Sequence, residues 1–350
     1  EALFSPDKAF WAGIAKELEE GLQQYLDRKS RSKESISSDP RVKAARHLSY
    51  FASIMAEEGP EFSYLLRQTP AGGREARILC HDASRFLAAG YRAFRQVTLV
   101  SATLDPLPFY RAVLGFEKSD PLLLNLPSPF PPENRLIAVC PAVSTLYKER
   151  QQSLPGIVRL IEEVVEARPG NYLAFFPSYD YLNQAARKIA PEGHRVFCQK
   201  PSMRDREREA LIETLSERVP TLILAIHGGV LAEGVDYPGE KLIGAIMVGP
   251  ALPRVCLEQE LLRRYYDGRG EDGFSYAYLY PGMTRVIQSA GRVIRSEHDR
   301  GVIVLLCRRF AFPDYLKLLP GHWYRESPRE LVRYDLPSEL RRFWEGVGIS

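Results

Sequence analysis

The chain has 350 residues, 45% of them apolar and 26% charged, with a formal net charge of +3. This is the profile of an ordinary globular protein long enough for two or three domains. The charge is too small to argue for a nucleic-acid partner by itself, and no apolar run approaches the roughly 18 residues of a membrane-spanning helix.

The five cysteines, Cys80, Cys140, Cys198, Cys256 and Cys307, are far apart in sequence. They form no CxxC pair and have no histidine at metal spacing, so no metal site is expected. Their reading is as buried, reduced thiols of an intracellular, cytoplasmic protein. The start, Glu1-Ala2-Leu3-Phe4, has neither an initiator Met nor the layout of a signal peptide. The expectation is a fragment or a processed product.

Residues 1–68 read as helical. Ser5-Pro6-Asp7 is a helix start, and Phe10, Ile14, Leu18, Leu22 and Leu26 follow at helical spacing. Arg28 to Ser38 is a basic, serine-rich break, read as an exposed loop, and a second helical stretch runs from about Arg41 to Met55. Thr69-Pro70-Ala71-Gly72-Gly73 marks a boundary. After it come a short strand from Ala76 to Cys80, a helix from Ala83 to Phe94 and a buried strand from Gln96 to Ser101. Pro121 to Pro132 is proline-rich and reads as a linker.

From Arg135 onward, short apolar strands alternate with amphipathic helices. The strands are Leu136–Cys140, Tyr172–Phe176, Arg195–Cys198, Thr221–Ile226, Ile243–Val248 and Val302–Leu306. The helices between and after them include 154–167, 179–189, 204–218, 254–266 and 284–295. This alternation predicts an α/β fold, a mostly parallel sheet with helices on both faces, preceded by the N-terminal helical segment. Ligands of such sheets sit beyond the carboxyl ends of the strands.

Four polar segments fall at such places. Ser101-Ala102-Thr103 closes one apolar run; alone it reads as a turn or cap. Ser178 follows Phe175-Phe176-Pro177. It is either the N-cap of the helix that starts at Tyr179 or, with that helix terminus, a contact for a backbone phosphate. His227 to Gly239 is bent by four glycines and a proline and carries Glu233, Gly234 and Asp236. Taken alone, it is equally a connecting turn with solvated acids. Carboxylates beside a polyphosphate must hold ribose, a metal or a cation, because they repel phosphate.

The fourth segment is Gln288 to Arg295. Gln288, Arg292 and Arg295, spaced i, i+4, i+7, are predicted to share one helix face, with Val286, Ile287, Ala290, Val293 and Ile294 on the core side. Gly291 weakens the helix by about 1 kcal/mol relative to Ala and is read as admitting a close approach beside Arg292. Two guanidiniums and an amide suit a polyphosphate. Yet the sequence contains no phosphate-cradling GxxxxGK[ST] loop.

The order of these four segments resembles the C-terminal half of a superfamily 2 helicase of the XPD/DinG branch. Ser101-Ala102-Thr103-Leu104 is similar to the third helicase motif, Phe175-Phe176-Pro177-Ser178-Tyr179 to the fourth, Gly229 to Asp236 to the fifth and Gln288 to Arg295 to the sixth. Asp299-Arg300-Gly301, Arg308-Arg309-Phe310 and the Tyr/Arg-rich stretch at Leu261 to Tyr266 are also similar to the branch. The likeness covers roughly residues 76–320.

The resemblance implies ATP with Mg2+ bound between two RecA-like domains. Arg292 and Arg295 would then stabilise the γ-phosphate, with Gln288 bridging the domains and Glu233, Gly234 and Asp236 at the nucleotide. Thr103, Ser178 and Tyr179 would line the path of single-stranded or forked DNA. It further implies the division 1–70 (part of a helical arch), 71–115 (end of the first motor domain), 116–134 (linker) and 135–350 (second RecA-like domain). The phosphate loop, the acidic metal motif and the four cysteines that hold an iron–sulfur cluster in many members lie upstream in the family. None of them occurs in this sequence. An N-terminal motor domain is therefore an expected partner, and the chain alone is expected not to hydrolyse ATP. The second reading is a non-catalytic nucleic-acid-binding or protein-interaction module that keeps a helicase-like fold.

Overall fold

The computed structural model describes residues 2–31, 39–69, 71–216, 219–232, 235, 237 and 239–346. In chain order its first elements are β1 (Ala2–Leu3), α1 (Lys8–Arg31), α2 (Pro40–Ala56), β2 (Phe62–Gln68), β3 (Arg74–Cys80), α3 (Ser84–Tyr91) and α4 (Leu107–Val113). Then come β4 (Arg135–Cys140), α5 (Arg150–Glu166), β5 (Asn171–Phe176), α6 (Tyr179–Ala186), β6 (Arg195–Cys198), α7 (Asp205–Thr214) and β7 (Thr221–Ile226). The last are β8 (Gly244–Val248), α8 (Leu257–Gly268), a π-helical turn (Ser275–Leu279), α9 (Tyr280–Ala290), β9 (Gly301–Leu306), α10 (Pro313–Leu316) and α11 (Leu336–Glu345). By internal contacts these form two units. One comprises residues 1–97, 111–119 and 256–273; the other comprises 98–110, 120–255 and 274–350.

The larger unit is built on a six-stranded sheet of order β4-β9-β8-β5-β7-β6, parallel at every pairing. All six strands coincide with the apolar runs of the sequence, to within a residue at each end. They are continuous runs because both faces of the sheet are covered, so neither alternate set of side chains meets water. On one face Ile137, Leu173, Phe175, Ile223, Met247 and Leu305 pack under α9 and α10. On the other, Leu136, Tyr172, Phe176, Leu224 and Val304 pack under α5, α6 and α11. Within α5, Leu154, Ile157, Ile161 and Val164 recur at helical spacing and are fully or almost fully buried.

The smaller unit differs from its sequence reading. Residues 1–68 are not helical throughout: Phe62–Gln68 is strand β2, paired antiparallel with β3 from Phe62↔Cys80 to Gln68↔Arg74 and with β1 on its other side. Two aromatic residues within Phe-Ser-Tyr-Leu-Leu suit a pleated surface, and the partner strand lies one turn away. That turn is closed by Thr69 N–H to Gly73 O at 2.8 Å, with Gly72 at φ +81°. α1 and α2 pack together, Trp11 edge-on to Phe51 at 5.8 Å. α1 continues to Arg31, inside the expected break, and residues 32–38 lie outside the described residues. α8 also belongs to this unit. Glu258 pairs with Arg77 at 3.3 Å, Tyr265 donates to Asp82 at 3.2 Å and Tyr266 to His81 O at 3.3 Å.

Two further expectations are corrected. Gln96 to Ser101 forms no strand, and Val100 is 89% exposed. An apolar run becomes a strand only when a neighbour accepts its ladder of hydrogen bonds, and no described strand lies beside this one. The thiols are all free but not all buried. Cys140 and Cys307 are buried, Cys198 is half-buried, and Cys80 and Cys256 are exposed. Among the described residues, no helix is long and apolar enough to cross a membrane.

Candidate functional site

α9 ends earlier than its sequence pattern suggests. It spans Tyr280–Ala290, and Gly291 caps it, donating to Ile287 O at 2.9 Å. Arg292 and Arg295 therefore stand on the turn beyond the helix and do not share a helical face with Gln288. The poor helix propensity of Gly291 allows the stop. Asp299, almost fully buried, then fixes the turn by accepting the backbone N–H groups of Arg295 and Ser296, both at 2.7 Å. A Cβ at Gly291 would meet only ordinary contacts within the chain, at 3.5 and 3.6 Å from the carbonyl oxygens of Ile287 and Gln288. Val286, Ala290, Val293 and Ile294 are buried as expected.

α9 is held where it is by three contacts. Tyr276 of the π-helical turn before it and Tyr280 at its own start pack against Phe109, with ring centroids 5.0 and 4.8 Å away. Tyr110 shares a hydrogen bond with Thr284 at 3.2 Å. A Cβ on Gly282 would come within 2.8 to 3.1 Å of Leu252, so glycine lets the helix lie against the loop that follows β8.

Arg292 is half-buried and reaches across to the loop after β7. Its Nε donates to Ala232 O at 3.1 Å and its Nη1 to Val235 O at 2.7 Å. Among the described residues no carboxylate pairs with it. Glu233, Gly234 and Asp236 of that loop lie outside the described residues. Their neighbours Leu231, Ala232, Val235 and Tyr237 are buried in the core, and Tyr237 donates to Leu231 O at 3.1 Å. Burial raises the Tyr237 pKa, which keeps the hydroxyl a donor. Gln288 and Arg295 are exposed.

Of the remaining sequence-derived residues, Ser178 and Tyr179 follow β5, whereas Thr103 lies in a turn with no strand before it. Ser178 is the N-cap of α6: its Oγ accepts Tyr181 N–H at 3.3 Å. The Tyr179 hydroxyl donates to Lys200 O at 3.4 Å and accepts from Gln199 Nε2 at 3.0 Å. The Thr103 N–H donates to Ser101 Oγ at 3.2 Å, closing a local turn. Thus the Arg292 turn meets the loop after β7, whereas Ser178 and Tyr179 are tied to the end of β6.

Sequence reasoning missed Gln199 and the role of His227. Gln199, 4% exposed, accepts Ile226 N–H at 3.1 Å while donating to Tyr179, so it joins the loops after β6, β5 and β7. A Cβ on Gly229 would stand 2.7 Å from its amide, so this crossing requires glycine. The available signal was position: Gln199 directly follows a predicted strand, as His227 does. His227 is buried, stacks on Phe175 at 5.8 Å and donates from Nε2 to Gly249 O at 3.1 Å. Burial pushes its pKa down to about 3, against the opposing Gly249 bond, so it is neutral at physiological pH. Among the described residues, no group of three or more His, Cys, Asp or Glu is placed to hold a metal ion.

Six parallel strands covered by helices, with polar loops at their carboxyl ends, define an open α/β domain of the class that receives ligands beyond the strand ends. Residues 161–326 match the family described as the helicase C-terminal domain. A probable ATP-dependent helicase of Methanocaldococcus jannaschii is 30% identical over 256 residues, 67% of this chain and 38% of that protein. The general transcription and DNA repair factor IIH helicase subunit XPD/RAD3 of Saccharomyces cerevisiae is 26% identical over 67% of this chain and 32% of its own length. The ATP-dependent DNA helicase DinG of Photobacterium profundum is 28% identical over 63% of this chain and 33% of its own. A solved XPD helicase structure shares the fold over 87% of this chain and 54% of that chain, with a TM-score of 0.57 at 19% identity. The chain belongs to the XPD/DinG/DDX11 helicase family and carries its C-terminal domain. It spans about a third of the length of these curated relatives.

Proposed function

We propose that this chain is the C-terminal portion of an ATP-dependent DNA helicase that moves 5′ to 3′ along single-stranded DNA and opens duplexes. Residues 1–70 would belong to the arch, 71–115 to the end of the first motor domain, 116–134 to the linker and 135–350 to the second motor domain. ATP with Mg2+ would bind between the motor domains, and an N-terminal motor domain would supply the phosphate loop. Any iron–sulfur cluster of the complete protein would belong to that other part.

The observation that carries this reading is Arg292. Two backbone carbonyls orient its guanidinium, and no described carboxylate neutralises it. A half-buried cation held by neutral dipoles is suited to an incoming anion and reorganises little when that anion arrives. In this reading Arg292 and Arg295 meet charge developing on the γ-phosphate, and Gln288 bridges the two domains. Glu233, Gly234 and Asp236 would contact the nucleotide. Thr103, Ser178 and Tyr179 contact the DNA, where hydroxyls bind phosphates and a ring stacks on a base.

The test is to replace Arg292 or Arg295 by Ala in the complete helicase. Turnover should fall by about a thousandfold or more while single-strand affinity changes little. Turnover equal to the parent would remove the arginine assignment. The 350-residue chain by itself should show no ATPase activity above background.

A further inference from the structure

Thr145, 1% exposed, follows β4 and draws in two guanidiniums. Arg150 Nε donates to its carbonyl oxygen at 3.1 Å, and Arg309 Nη2 donates to its Oγ1 at 2.9 Å. Cations brought to one residue repel each other unless a negative charge joins them. Among the described residues neither guanidinium has a carboxylate partner. The nearby Glu149 pairs instead with Arg308 at 2.7 Å. The Arg309 Nε is buried and has no hydrogen-bond partner among the described residues.

An aromatic surface adjoins this pair. The Arg150 guanidinium lies 5.2 Å from the Tyr181 ring centroid and 5.7 Å from that of Tyr147. Tyr181 is buried and fixes one side; Tyr147 is 86% exposed. The corner is continuous with Ser178, because Tyr181 gives its N–H to Ser178 Oγ and its hydroxyl to Arg150 O at 3.3 Å.

We propose that Tyr147, Arg150 and Arg309 form a nucleotide-binding step for single-stranded DNA, one base stacked on Tyr147 and its phosphate held by the two arginines. The inference rests on the reading of the chain as a DNA motor. Guanidinium forks match phosphate oxygens, and a ring accepts any base. The spacing of cation and ring thus suits both ends of one nucleotide, without sequence preference.

The experiment measures binding of the 350-residue chain to a fluorescein-labelled oligothymidylate of about 12 nucleotides, and to an abasic strand of the same length. Tyr147→Ala should weaken the thymidylate complex about tenfold and leave the abasic complex unchanged, with Tyr147→Phe close to the parent. Arg150→Gln should weaken both complexes and lower the salt slope by about 0.7, whereas Arg150→Lys keeps the slope. If Tyr147→Ala binds thymidylate as the parent does, the proposal is overturned and the motor reading stands. If the parent binds neither strand, both are overturned. Inorganic phosphate at millimolar concentration that displaces the strand fully would reassign the corner to a free anion and overturn the proposal.

Discussion

Arg292 uses two of its five N–H donors on the carbonyls of Ala232 and Val235. That arrangement turns a flexible side chain into a fixed cation, and it was invisible in the sequence, which offered only spacing. The spacing placed Arg292 and Arg295 on a helix. The structure places them on a turn fixed by Asp299, whose carboxylate accepts two N–H groups. Asp299→Ala should therefore destabilise the larger unit by about 1–3 kcal/mol in urea unfolding and raise amide exchange at Arg295 and Ser296. His227 makes a pH-dependent contribution. Its folded pKa, about 3, lies below the ordinary histidine value of 6.5. As pH falls below that ordinary value, the unfolded chain takes up a proton that the folded chain refuses, so stability is lost until the folded pKa is reached. Between pH 7.5 and 5.5 the parent should lose about 1.4 kcal/mol more than His227→Phe, measured by urea unfolding at both pH values. Equal losses would show that His227 does not titrate in this way.

At the scale of elements, the strands were legible and the helix ends were not. β5 and β9 are buried at every position, so burial alone writes their sequence as an unbroken apolar run. The end of a helix depends on single residues and on what lies beside them, as at Gly291 and Asp299. The start of α9 is the same kind of case. Its π-helical turn precedes Pro281, which has no N–H to give and whose ring would crowd a regular turn. No periodicity announces this. Gly282 is held against Leu252, and Gly282→Ala should lower stability by about 1–3 kcal/mol by forcing the helix outward, visible as a lower melting temperature. An unchanged melting temperature would mean that the loop after β8 yields freely. The N-cap role of Ser178 was legible because a hydroxyl at a strand end followed by a helix has few local alternatives. The bridging role of Gln199 was not, because its partners Tyr179 and Ile226 lie 20 and 27 residues away in sequence.

At the scale of the whole molecule, local pattern and available partners disagree in one place. The segment 96–101 has the composition of a buried strand but not its ladder. The proline-rich stretch after it leaves Leu122 at 99%, Leu124 at 81% and Leu126 at 72% exposure. Contiguous exposed apolar side chains promote association in water. Replacing Leu122, Leu124 and Leu126 by Ser should reduce light scattering of the isolated chain at high concentration without lowering its melting temperature. Scattering as strong as the parent's would show that this stretch is not the adhesive one. Sequence reasoning could name these residues as apolar, but not state which would lack neighbours, since that depends on polypeptide beyond the local pattern.

The division into two units has a consequence for how such a protein can be taken apart or inherited. The backbone passes from one unit to the other after residues 97, 110, 119, 255 and 273. A gene cut at any one of these points would strand part of one unit with the other. Stopping at Val255, for instance, would leave Asp82 without Tyr265 and Arg269 and would remove α9 and β9 as well. The two units are thus interleaved in the coding order, and recombination by a single crossover cannot exchange one for a homologous unit while leaving the other whole.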